Sequence, residues 1–147
     1  MRHREFVAQL DDSKIARAIA IAEQKSSGEI RVFVSSQKPE TDTEALALAQ
    51  RIFMRLGMTK TKHRNAVLLF FAPATQKFAI IGDSGVHQKC GPAFWEEVTV
   101  ALTPMLKQRE FTGAVISGVE RAGKALAEHF PRDPDDANEL PNVVERD

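Results

Sequence analysis

"AVLLFFAPATQKFAIIG", residues 66 to 82, decides the fold. Residues 66 to 72 are apolar on every position, the pattern of a central strand covered on both faces. The link "PATQ" then leads to "KFAIIG", residues 77 to 82. So short a connection implies an antiparallel hairpin. Upstream, "EIRVFVS", residues 29 to 35, sets Ile30, Val32 and Val34 against Arg31, Phe33 and Ser35. That alternation is strand spacing, and Phe33 implies that the second face is partly covered as well. Between these strands, "TDTE" at 41 to 44 reads as a capping box. The helix behind it lines up Ala45, Leu48, Ile52, Phe53 and Leu56, and Gly57 ends it. A helix joining two strands makes them a parallel, right-handed pair. The expectation is therefore α/β: a mixed central sheet sandwiched between helices, layered like a Rossmann fold.

Farther out, residues 12 to 26 read as a helix capped by Asp12 or Ser13, with Ile15, Ile19 and Ala22 on one face. Residues 91 to 108 read as another, opened by Gly91 and Pro92 and kinked or split by Pro104. Its inner face holds Phe94 or Trp95, Val98, Leu102 and Met105. The last helix runs from about Thr112 to Phe130 and buries Val115, Val119, Ala122 and Leu126. Gly113, Gly118 and Gly123 each weaken it by about 1 kcal/mol against alanine, a loss that close packing would offset. The domain is expected to span residues 1 to 131. Residues 132 to 147 read as an acidic, mobile tail.

Composition narrows the classes. At 147 residues the chain is one domain, able to bury about two-thirds of its unfolded surface. A single cysteine, Cys90, rules out an internal disulfide. No signal peptide and no membrane-spanning run is read, so the expected location is the cytoplasm. Formal net charge is zero, but residues 131 to 147 carry six acids and two arginines, a net of minus four. The body is thus mildly basic at plus four, which does not suit a dedicated nucleic-acid binder.

"AIAIAEQKSSGEIRVFV" (18 to 34), "RIFMRLGMTKTKHRNAVLLFFAPATQKFAIIGDSGV" (51 to 86), the tryptophan of "FWEEV" and "LAEHFP" (126 to 131) together resemble the TPM domain. The resemblance covers about residues 12 to 131. That family includes thylakoid-lumen proteins of photosystem II repair, a receptor-associated membrane protein and many bacterial proteins. The resemblance implies a mixed sheet between helices, binding of calcium or another divalent ion in some members, acid phosphatase activity in some, and work on or beside membrane complexes. Where the membrane-attached branch has a glycine, aromatic, glycine, leucine, glutamate loop, this chain has "GDSGVH", with His87 roughly at the glutamate.

The same loop supplies the candidate residues. "GDSG" invites a serine nucleophile at Ser84, but a hydrolase elbow needs glycine two places either side, and Val86 fills the second slot. No third group orients a histidine toward Ser84, so a turn built on Gly82 and Gly85 is preferred. Asp83 is the best candidate, just past a strand end where open α/β sheets place ligands. With Asn65 it forms the expected oxygen-donor set for Ca2+, or Mg2+. Arg64, beside Lys60 and Lys62, could hold an anionic group bidentately, and His87 and Ser84 are further contacts for an anion or partner. Glu29 is expected to pair with Arg31 or a loop amide. His63, His87 and Cys90 match no zinc spacing, and Trp95 reads as a core anchor. The leading expectation is a divalent-cation-binding interaction or scaffold module with a protein partner, linked to the maintenance of a membrane complex, and no organic cofactor. The alternative is a metal-assisted phosphatase, with Asp83 holding the ion and Arg64 the phosphate.

Overall fold

The computed structural model describes residues 3 to 132 and 144 to 147. The helices are α1 (His3–Gln9), α2 (Asp12–Glu23), α3 (Asp42–Arg55), α4 (Ser84–Cys90), α5 (Pro92–Lys107) and α6 (Phe111–His129). The strands are β1 (Glu29–Val34), β2 (Ala66–Ala72), β3 (Lys77–Gly82) and β4 (Val144–Arg146). They form one sheet in the order β3-β2-β1-β4. β1 pairs in parallel with β2, Glu29 opposite Ala66 and Phe33 opposite Phe70. β2 and β3 make the expected antiparallel hairpin, with Val67 opposite Gly82 and Ala72 opposite Lys77.

Two apolar clusters fill the two faces. Ile30, Val32, Val34, Val67, Leu69 and Phe71 point into the larger one, beneath helices α1, α2, α5 and α6. Phe33, Ala66, Leu68 and Phe70 point into the smaller one, beneath Ala49, Ile52 and Phe53 of α3. Every residue of β1 and β2 is buried, as two-sided cover demands. The start of α3 follows its sequence signal: Thr41 Oγ1 accepts from the Glu44 amide at 3.1 Å. The reciprocal bond shifts one place, because Glu44 Oε2 takes the Glu40 amide at 2.7 Å. The glycines of α6 sit where side chains of neighbouring elements crowd the helix. A methyl on Gly118 would press on Leu69 and Leu102, and one on Gly123 would lie 2.7 Å from Ala22 Cβ.

Three elements depart from expectation. α1 went unread; it holds only Phe6 in the core, too little to show as a period. The bend expected at 82 to 85 is the start of α4, with Asp83 as its N-cap. α5 then runs on through Pro104 without splitting. The third correction concerns the tail. Its end, β4, pairs in parallel with β1, Val144 opposite Val32 and Arg146 opposite Val34. Charge explains the docking. Glu145 pairs with the buried Arg31, Arg146 makes two 2.8 Å bonds to Asp12, and Asp147 accepts from Ser35 Oγ, the Ser36 amide and Ser36 Oγ. Residues 133 to 143 of the expected tail lie outside the described residues.

Candidate functional site

Because β3 runs against its neighbours, the end of β3 meets the starts of β1 and β2. Asp83 therefore stands at the carboxyl end of its own strand but at the amino end of the parallel pair. The topological rule for ligands favours the opposite end, so it does not support Asp83.

The sequence around Asp83 builds a clasp. The Asp83 amide donates to Ala66 O at 3.0 Å and the Gly85 amide to Arg64 O at 2.9 Å. Only glycine fits at 85, since a Cβ would lie 2.5 Å from His63 O and 2.7 Å from Arg64 O. Arg64 itself holds a left-handed backbone, φ 52°. Its side chain reaches back and grips Asp83 with two bonds, Nε to Oδ2 at 2.7 Å and Nη2 to Oδ1 at 2.9 Å. Asp83 Oδ1 also accepts from the Ser84 amide at 2.8 Å. Hydrogen bonding to Asp83, then its charge, pushes the Arg64 pKa up. The carboxylate is thus doubly engaged, as a helix cap and as half of a fork-shaped ion pair. An ion at Asp83 would have to displace a guanidinium.

Asn65 lies next in the chain but is turned inward and fully buried. Its amide Nδ2 donates to Ser27 Oγ at 3.1 Å, and its backbone N–H to Thr61 Oγ1 at 3.2 Å. Its Oδ1 is buried and accepts no hydrogen bond. Glu23, which the sequence reading passed over, is buried at the end of α2. It sits four residues after Ile19, so its place on the inner stripe of α2 was visible in the spacing. Glu23 Oε2 accepts from the Ile30 amide at 2.7 Å, while Oε1 is buried and accepts nothing. Its carboxyl also hydrogen-bonds Glu29, itself 2 % exposed. Burial first, then the Glu29 charge and hydrogen bond, push the Glu23 pKa from 4.5 to about 8 against the opposing Ile30 bond. Burial and the neighbouring Glu29 thus favour the protonated, neutral form of the Glu23 carboxyl. Arg31 pairs with Glu145 of β4.

The remaining candidates spread out. Ser84 and His87 are exposed on α4, and the His87 ring lies 5.7 Å from that of Trp95. Trp95 packs on the larger core cluster and so close to Gly82 that a Cβ there would be 2.6 Å from its ring. Cys90 is a half-buried free thiol, its pKa raised by burial and then by Glu128. Among the described residues no three of His, Cys, Asp and Glu converge to hold a metal ion. The Glu23 and Glu29 carboxyls and Asn65 Oδ1 are the buried oxygen groups at this end of the sheet.

Comparison with known proteins agrees with this architecture. The TPM domain family model matches residues 3 to 125. No curated protein sequence matches the chain. The solved structure of the BA42 protein from the psychrophilic bacterium Bizionia argentinensis is 35 % identical, covers 95 % of this chain and 96 % of its own, and superposes with a TM-score of 0.85. The N-terminal domain of the cg2496 protein from Corynebacterium glutamicum is 19 % identical over 81 % of this chain and 75 % of its own, with a TM-score of 0.59, and shares the fold. No helix among the described residues is long and apolar enough to cross a membrane. With the family model matched over most of its length and a neighbour alike in sequence and shape, the chain belongs to the TPM domain family.

Proposed function

We propose that this chain is a divalent-cation-binding interaction module that serves a protein partner, not a phosphatase. One observation carries the cation reading: Asn65 Oδ1 is a buried oxygen acceptor without a donor, at the end of the sheet that also buries the hydrogen-bonded carboxyls of Glu23 and Glu29. Buried acceptors left unmade are costly. A divalent cation would take up those oxygens, add to the positive charge that Arg132 brings near Glu23, and release the Glu23 proton. Glu23, Glu29 and Asn65 would hold it; bound there, it would tie α2, the start of β1 and the loop before β2 together. The non-enzymatic part of the reading is supported by the Arg64–Asp83 pair. A phosphatase of the expected kind needs Asp83 for metal and Arg64 for phosphate, and each is spent on the other. Service to a membrane complex rests on the family likeness alone.

The test is a calcium, magnesium and manganese titration by calorimetry and thermal melting. A rise in melting temperature is expected that grows as pH approaches 8, while the proton release that accompanies binding shrinks over the same range. Glu23→Gln should abolish it and Asp83→Ala should keep it. Loss of the response only in Asp83→Ala would move the ion to the clasp. Turnover of a chromogenic phosphoester that disappears in Asp83→Ala would overturn the module reading.

A further inference from the structure

At the other end of the sheet, where the parallel strands finish, a cavity of about 280 Å³ opens. Its floor is aromatic and aliphatic: Phe6 of α1, Phe71 of β2, Phe78 of β3 and Leu106 of α5. Its border is cationic, with Lys77, Lys107 and Arg109 and no acid among the residues that line it. From this geometry we infer that the cavity binds a small amphipathic monoanion, an aryl or short-chain alkyl carboxylate.

Four observations support this. The place is the one an open α/β sheet offers a ligand, outside the carboxyl ends of its parallel strands. The shape is concave and apolar with few convergent polar groups, as small-molecule sites are. At 280 Å³ it sits just below the roughly 300 Å³ at which drug-sized pockets begin, so one ring or a short chain fits and a nucleotide does not. The charges are available. Lys107 makes no ion pair among the described residues. Lys77 reaches an Asp42 that is 92 % exposed, and Arg109 a Glu5 that is 43 % exposed. Such surface pairs exchange at little cost. Finally, two of the three non-glycine residues with positive φ border this cavity: Gln76 at 56° and Arg109 at 62°. Both end helical turns where glycine is favoured, so each keeps its side chain there against the backbone's preference. The anionic head would meet Lys107 and Arg109, and the apolar body would lie over Phe71, Phe78 and Leu106.

The full chain, labelled with nitrogen-15, would be titrated with phenylbutyrate and separately with its neutral amide, phenylbutyramide. Saturable shifts are expected at the amides of Phe6, Phe71, Phe78 and Lys107, with the neutral amide binding about tenfold more weakly for want of a charge-assisted bond. Lys107→Gln should weaken phenylbutyrate by a similar factor while leaving its affinity for phenylbutyramide and the melting temperature unchanged. Absence of saturation, shifts centred elsewhere, equal affinity for acid and amide, or an unaltered Lys107→Gln variant would each overturn the inference.

Discussion

The two ends of the sheet handle charge in opposite ways. At the amino end of the parallel strands, carboxylates are enclosed and engaged by neighbouring groups. Asp83 is 5 % exposed, forked by Arg64 and capping α4. At the carboxyl end the charges lie on the surface over an aromatic floor, in pairs whose acids are 43 % and 92 % exposed. The lesson is that charge around Asp83 contributes to the fold, whereas around Phe71 and Phe78 the fold rests on apolar contact and the charges of Lys77, Lys107 and Arg109 are left for other work.

That contrast can be broken most sharply at Phe71, which stacks near Phe6 and Phe78 at centroid distances of 5.7 Å and 6.2 Å. Phe71→Ala should cost about 3–5 kcal/mol in denaturant unfolding. A loss under 1 kcal/mol would mean that the carboxyl end is not held by its aromatics. The next effect is a pH slope at the amino end. Glu23 keeps its proton in the fold up to about pH 8 but loses it near 4.5 when unfolded. The folded state binds the extra proton across that window, so this group's contribution falls as pH rises from 4.5 to about 8. Glu23→Gln should remove that slope, read as the difference between the two proteins' melting temperatures across pH. Asp83→Ala comes third, at about 1–2 kcal/mol for the lost cap and charge-assisted bonds, with Asp83→Asn nearer half of that because it keeps the cap. Smallest is Arg109→Gly. It loses one exposed pair and gains a residue at ease at φ 62°, so its melting temperature should move by no more than about 0.5 kcal/mol's worth. A larger fall there than in Asp83→Ala would reverse the comparison.

Much of the fold was legible because burial leaves a periodic trace. The unbroken run of β2, the alternation of β1 and the stripe of α3 all announced themselves, and their pairing followed from link lengths. α1 and β4 left no such trace. One is anchored by a single phenylalanine and the other by charges meeting partners more than a hundred residues away. The site was half legible. Asp83, Arg64 and Asn65 were each singled out, but a side-chain fork across nineteen positions has no periodicity to reveal it. The direction of β3 decided the rest. A hairpin was foreseen, yet its consequence, that Asp83 sits at the amino end of the neighbouring strands, emerges only once the sheet is assembled. Glu23 was the avoidable miss, since an acid on an inner stripe is a signal in itself.

β4 closes the flank of β1 from the far side of the chain's length, and this has a bearing on how the molecule comes into being. While a ribosome is still making it, β1 can find β2 early but must wait with one row of amides and carbonyls bare until residues 144 to 146 emerge. An interrupted product would keep that seam open, with Arg31 lacking Glu145. Bare seams of this kind recruit other strands, so prematurely ended chains should clump during synthesis before finished ones do.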